Sequence, residues 1–148
     1  MCQNAMSFAS NMKRLVAECV GTPYLLHGRS PTEGFDCYGL VWWIFAQVGI
    51  ELPDFAYNKE WHKQGETYFD QHKNLHARAI AKSDAKIGDL VLFKMSRTTP
   101  NHIGIIVGDG KMAHCNEHQV VIVSYSQQPM FRKIEGFYHL HEIDNQTK

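Results

Sequence analysis

A cysteine and two histidines stand where their chemistry could combine. Cys37 falls where a loop rich in Gly and Pro, residues 21–34, gives way to an apolar helical run. Unpaired backbone N–H groups at a helix N-terminus, with the helix dipole, favour negative charge. A thiol there is expected to have its pKa lowered toward thiolate, the nucleophilic form. The same N–H groups can hold the oxyanion that forms when sulfur attacks a carbonyl. Asp36, immediately before, has the side chain of an N-cap. Taken alone, Cys37 also reads as a small buried residue, since free cysteines are often fully buried.

His102 opens a strongly apolar run, Ile103-Gly104-Ile105-Ile106-Val107. By itself it reads first as a hydrogen-bonded residue at a strand end. His114 lies on the next apolar run, across Gly108-Asp109-Gly110, a tight hairpin signal. A hairpin centred on Asp109 sets Gly104 opposite His114 and His102 near Asn116. Side chains alternate along a strand with period two, so His102 and His114 can share one face. A relay of nucleophile, base and orienter is then geometrically possible.

These groups need elements to position them. Phe8, Met12, Leu15, Val16 and Cys19 recur at helical spacing, with Ser7 to cap the start and Gly21 and Pro23 to stop it, which predicts a helix over about 8–20. A second helix is expected from Asp36 or Cys37 to about Val48, apolar at Leu40, Val41, Ile44, Phe45 and Val48 and ended by Gly49. Adjacent Trp42 and Trp43 suggest burial on most sides. Residues 58–76 are polar and His-rich, and predict one surface helix around Trp61 to His72. Strands are expected at about 76–81, 89–95, 102–107, 111–116, 119–125 and 135–138. Helices first and strands afterwards imply an α+β domain, with N-terminal helices packed on an antiparallel sheet of about five to six strands.

The chain-wide properties narrow the function classes. The 148 residues suit a single domain, 1–148, with a core over about 10–140. Lys plus Arg equals Asp plus Glu at 15 each, so there is no basic surplus to signal a nucleic-acid partner. Polar Gln3, Asn4, Ser7, Ser10 and Asn11 interrupt what a signal peptide would need as an apolar core, and no run approaches the roughly 20 apolar residues of a membrane span. The expectation is a protein made in the cytoplasm. Cys2, Cys19, Cys37 and Cys115 are widely spaced and read as reduced thiols. Zinc is the sharpest competitor, since Cys37, His102, His114 and Cys115 are all ligand types. The short paired spacings of structural zinc sites are absent, and neighbouring His114 and Cys115 point to opposite faces of a strand. Apart from Cys37, the cysteines read as bystanders. His62, His72 and His76 read as solvated, His118 as a turn residue, and His139 and His141 as a C-terminal tail.

Four blocks then carry a family resemblance. They are Gly21-Thr22-Pro23-Tyr24, then Gly34-Phe35-Asp36-Cys37-Tyr38-Gly39-Leu40-Val41, then Ile87-Gly88-Asp89-Leu90-Val91-Leu92-Phe93, then His102-Ile103-Gly104-Ile105 with Gly108-Asp109-Gly110-Lys111-Met112-Ala113-His114. In this order they resemble the NlpC-type branch of the papain-like cysteine peptidases. The resemblance implies a papain-like core, Cys37 as nucleophile, His102 as general base and His114 as the polar group fixing the tautomer of that base. It places Tyr24 at the site near the oxyanion, and Asp36 and Tyr38, flanking the nucleophile, with the oxyanion or substrate. Tyr38 stands where the family often has Ser, which could narrow the pocket. Leu25-Leu26-His27-Gly28 replaces a common Gly-Gly pair, so the substrate rim is expected to differ.

The implied reaction is hydrolysis of an amide in peptidoglycan stem peptides, of the D-glutamate–diaminopimelate type, through an acyl-enzyme and without metal or organic cofactor. Lone domains of this kind resemble tail-associated peptidases of bacteriophages. Phage tail proteins are then the expected partners, and the cell wall, reached through a virion or secretion device, the expected place of action. The rival readings are a non-catalytic tail component that uses the cleft for binding, a secreted amidase toxin effector, and acyl transfer to an amine.

Overall fold

The computed structural model describes residues 7–53, 77–94, 102–127 and 130–146. Helix α1 spans Phe8–Cys19, and the Ser7 side chain accepts from the Ser10 N–H at 3.1 Å. It buries Met12, Leu15, Val16 and Cys19, the face predicted from the spacing. Gly21 follows at φ +90°, a left-handed conformation that turns the chain away at little steric cost. Helix α2 spans Cys37–Gln47 and buries Tyr38, Gly39, Leu40, Val41, Ile44 and Phe45. Trp42 and Trp43 are only partly covered. The Trp42 indole N–H donates to the Leu52 carbonyl at 3.0 Å, which satisfies the polar end of a large apolar ring.

Among the described residues, eight strands accompany the helices. Strands β1 (Arg29–Ser30) and β2 (Gly34–Phe35) form a small antiparallel ladder inside the loop that precedes α2. The sequence reads this stretch as irregular, because two-residue strands leave no period to detect. Strands β3 (Ala77–Ile80), β4 (Leu90–Phe93), β5 (His102–Gly108), β6 (Lys111–Cys115), β7 (Val120–Ser124) and β8 (Ile134–Leu140) make one sheet in the order β3-β8-β4-β5-β6-β7. Every neighbouring pair is antiparallel. The six expected strands are all present, with bounds shifted by a few residues. The helix expected around Trp61 to His72 lies outside the described residues, as do Cys2, His62, His72 and His76.

Alternation along the strands divides the sheet into two apolar faces. Leu90, Leu92, Ile103, Ile105, Ala113, Cys115 and Val120 pack in one cluster with α1 and α2. Val91, Phe93, Ile106, Met112, Tyr125 and Phe137 form a second core on the other face. At about 1.5–3 kcal/mol for each large buried side chain, both clusters matter to stability. One histidine expected in a tail belongs instead to this framework. His139 lies in β8, and its Nδ1 meets Asp89 Oδ1 at 2.6 Å while its Nε2 meets Asp144 Oδ1 at 2.9 Å. Asp144 sits in a terminal helical turn, α3 (Ile143–Gln146), so His139 ties that turn to the sheet.

Candidate active site

The site forms where α2 begins and the β5–β6 ladder ends. Asp36 caps α2: its Oδ1 accepts from the Gly39 N–H at 2.7 Å and from Arg29 Nη1 at 2.9 Å. Its Oδ2 accepts from the His27 N–H at 3.0 Å. Asp36 is buried, so these partners compensate the cost of removing a carboxylate from water. Gly39 makes the arrangement possible. A Cβ there would run into the Gly28 carbonyl oxygen and come within 2.9 Å of Arg29 Nη1. The loop can therefore lie directly against the first turn of the helix.

That packing brings Cys37 to the sheet. Ile106 donates its N–H to Asp89 O at 2.8 Å and accepts at its carbonyl from Gly88 at 2.9 Å, so its backbone faces the β4 side. Alternation then turns the N–H of Ile105 and of Ile103 toward β6. The last β5–β6 rung at this end is Ile105↔Ala113. Beyond it, the Ile103 N–H, like that of Tyr38, is placed to lower the Cys37 thiol pKa. Cys115, which would continue the ladder, pairs with Val120 and sends its thiol proton to the Phe35 carbonyl at 3.1 Å.

The two histidines join across the same opening. His102 Nε2 and His114 Nδ1 are 2.8 Å apart, with ring centroids 5.0 Å apart and planes at 89°. Phe93 lies against His102 at 5.8 Å between centroids. The shared face read from the hairpin is observed, and the register places Ile105 opposite Ala113 and Ile106 opposite Met112 as expected. The bond fixes a choice of tautomers. If His114 Nδ1 accepts, His102 carries its proton on Nε2 and keeps the lone pair of Nδ1 for a proton from elsewhere.

Charge at the site differs from the expectation drawn from the helix start. Burial pushes the Cys37 thiol up to about 12, with the Asp36 carboxylate and Cys115 adding to the rise. The N–H groups of Ile103 and Tyr38 pull the other way and do not overcome it. Burial likewise drives His102 down to about 3, helped by His114, and lowers His114. The resting site therefore holds a neutral thiol and neutral imidazoles. An isolated helix terminus favours thiolate, but here desolvation of the anion is the larger effect.

The other expected site residues divide. Tyr24 lies at the mouth, 41% exposed, and burial raises its hydroxyl pKa together with the nearby Asp36, Cys37, Cys115 and Glu117. Its backbone N–H is tied to His118 O at 3.0 Å. Asp36 is committed to protein donors, a brace where an oxyanion or substrate contact was expected. Tyr38 is buried, donates its hydroxyl to Pro53 O at 2.6 Å and takes Arg29 over its ring at 5.7 Å. Its hydroxyl is thus tied to the chain after α2, and its backbone N–H lowers the Cys37 thiol pKa. Arg29 escapes a sequence reading because a cation in an irregular loop carries no periodic signal. Among the described residues, no three His, Cys, Asp or Glu side chains gather as a metal-holding cluster.

Helices on one face of an antiparallel sheet, with a cysteine at the start of one helix and a bonded pair of histidines on two strands, define an α+β domain with a papain-like core. A model of the NlpC/P60 family matches residues 21–137. The bifunctional muramidase/DL-endopeptidase CwlT of Bacillus subtilis is 32% identical over 117 residues, covering 78% of this chain and 31% of CwlT. The murein DD-endopeptidase MepH of Escherichia coli is 37% identical over 102 residues, covering 68% of this chain and 33% of MepH. An NLP/P60 family protein from Staphylococcus aureus superposes with a TM-score of 0.71 at 22% identity, over 95% of this chain and 45% of that one. RipD of Mycobacterium tuberculosis, a non-catalytic NlpC/p60 domain protein adapted to peptidoglycan binding, gives 0.62 at 15% identity, over 90% of this chain and 97% of RipD. The chain belongs to the NlpC/P60 family. It spans about a third of the length of CwlT and MepH.

Proposed function

We propose that the domain is a cysteine peptidase or amidase that hydrolyses an amide in peptidoglycan stem peptides, with Cys37 as nucleophile, His102 as general base and His114 as orienter. The observation that carries this reading is the 2.8 Å bond from His102 Nε2 to His114 Nδ1, with the N–H of Ile103, the residue after His102, acting on the Cys37 thiol. With its proton on Nε2, His102 offers Nδ1 to the thiol. Because the resting pair is neutral, proton transfer accompanies attack: sulfur bonds to the carbonyl carbon as Nδ1 takes its proton. The backbone N–H of Cys37 at the start of α2 and the Tyr24 hydroxyl at the mouth are suited to the oxyanion. The imidazolium then protonates the leaving amine, and water, deprotonated by His102, releases the acyl group.

For the bond, we favour D-glutamate–diaminopimelate. CwlT is named a DL-endopeptidase, and a second relative from Bacillus subtilis, 33% identical over 131 residues, is named gamma-DL-glutamyl hydrolase. Delivery to the wall by a virion or secretion device, with phage tail proteins as carriers, belongs to the same proposal and rests on the sequence resemblance. Detection of the protein in purified particles tests it. RipD keeps the fold without catalysis, so the fold alone does not argue for turnover, and the three reactive side chains do. Purified protein is incubated with sacculi, and the soluble fragments are identified by mass spectrometry. Fragments ending at D-glutamate, lost in Cys37→Ala, support the reading. Sacculus binding with no fragments from the wild type would replace it with a binding role.

A further inference from the structure

Asp36 poses a problem for the chemistry assigned to its neighbour. After burial, its carboxylate does most to raise the Cys37 thiol, and any step that builds negative charge on sulfur builds it next to a buried anion. The N-cap role explains a hydrogen-bond acceptor at this position but not a charged one, since Asn caps about as well as Asp. Arg29 supplies what is missing. Its Nη1 lies 2.9 Å from Asp36 Oδ1, in an ion pair whose side chains are 15% and 4% exposed. The same nitrogen donates to Gly28 O at 2.9 Å, and the guanidinium lies over the Tyr38 ring at 5.7 Å. Arg29 is thus held by the loop, by the capping carboxylate and by the residue that follows Cys37. Its charge cannot drift as a surface lysine's can.

We propose that Arg29 is a positioning residue of the hydrolytic site: it pins the Asp36 carboxylate at the start of α2 and neutralises the charge that Asp36 places beside Cys37. The proposal rests on reading Cys37 as the nucleophile. Among the described residues, Cys115 on β6 and Tyr24 in the loop also lie near the sulfur, with Glu117 beyond Tyr24. None of these is a cation, and Arg29 is the cation paired with Asp36 at the start of α2.

The test is the alkylation rate of Cys37 by iodoacetamide, mapped by mass spectrometry across neutral to mildly alkaline pH. A unit charge at this range, screened as near a protein surface, moves a neighbouring pKa by on the order of one unit. The thiolate fraction then changes about tenfold, and lower basicity returns part of that as nucleophilicity, leaving roughly three- to tenfold in rate. Arg29→Gln, which keeps a donor and loses the charge, is expected to slow labelling by that factor at every pH. Asp36→Asn is expected to speed it. The double variant, neutral at both positions, is expected to return to within about twofold of wild type. Arg29→Lys, which keeps the charge, is expected to stay close to wild type.

A double variant as slow as Arg29→Gln, with both folded by circular dichroism, would leave Arg29 a purely structural residue and overturn the proposal. Equal rates in wild type and Arg29→Gln would do the same. Should Arg29→Gln fail to fold, Asp36→Asn against the double variant carries the same comparison, with the double expected to be slower. The readout needs no peptidoglycan. Release of fragments from sacculi that survives Cys37→Ala would sink the nucleophile reading itself, a result distinct from the failure of the Arg29 variants to differ in labelling.

Discussion

Removal of His114 is the sharpest probe of the relay, because the structure sets how much it can matter. His114→Ala deletes the partner 2.8 Å from His102 Nε2 and leaves that N–H without it in a half-buried setting. An unsatisfied buried donor costs about 1–3 kcal/mol. If the whole cost falls on the transition state, kcat/KM drops roughly 5- to 160-fold. A general base is worth about 10²- to 10⁴-fold, so His102→Ala is expected to cost more, and Cys37→Ala to abolish turnover. His114→Gln keeps a carbonyl oxygen that can accept from Nε2, and is expected to recover a good part of the loss. The assay is kcat/KM on a defined stem peptide, with folding of each variant checked by thermal melting. Two results would refute the reasoning: His114→Ala as dead as Cys37→Ala, or a folded His114→Gln no better than Ala. Either would mean that His114 takes part in proton transfer itself, and that acceptance at its Nδ1 is not its role.

Acid should weaken the fold through the same histidines. His102 titrates near 3 when folded against 6.5 as a free side chain, so its contribution is complete above pH 6.5 and is lost as pH falls toward 3. The slope reaches about 1.4 kcal/mol per pH unit, which makes about 2 kcal/mol by pH 5 an upper bound, since the ring keeps some solvent contact. Denaturant unfolding at both pH values should show this loss in wild type and a smaller one in His102→Gln; identical pH dependence would exclude His102 as the cause. Gly104→Ala tests positioning from the backbone side. A Cβ there would stand 2.9 Å from Met112 Sδ, 3.0 Å from Ala113 O and 3.5 Å from His114 Cβ. The backbone oxygen cannot yield without parting β5 from β6, so the variant should lose about 1–3 kcal/mol of stability and disproportionately more activity. Unchanged kcat/KM would show that the His pair tolerates the shift.

What the sequence disclosed followed from how local each signal is. The helix face of Met12, Leu15, Val16 and Cys19 and the N-cap at Asp36 are written within a few residues and were readable. The facing of His102 and His114 was readable too, because a short turn at Gly108-Asp109-Gly110 fixes register, and register fixes face. Signals spread over space were not. His139 looked like a tail residue because its partners, Asp89 and Asp144, come from other elements. The bond from the Tyr38 hydroxyl to the Pro53 carbonyl was equally hidden, because nothing beside Tyr38 in sequence points to it. The ladder in the loop before α2, from Arg29 to Phe35, has no period to read, yet it carries the cation against Asp36.

The same distinction explains the thiol. Helix-start chemistry is a local argument, and it gives the sign of the N–H and dipole contribution correctly. Desolvation depends on what folds over the sulfur, and that comes from β5, from the loop and from the packing of α2 against the sheet. The larger effect is the one that no local pattern encodes, so a thiol read as activated rests as a neutral acid. On the proposed mechanism, reactivity would come from groups that stabilise charge as it forms: the Ile103 and Tyr38 N–H groups, a base whose lone pair is aimed by His114, and a cation that cancels Asp36. A site working in this way would hold its nucleophile protonated between turnovers, where a thiol resists alkylation and oxidation better than a thiolate does. It concentrates the electrostatic gain in the transition state, the one place where that gain speeds the reaction.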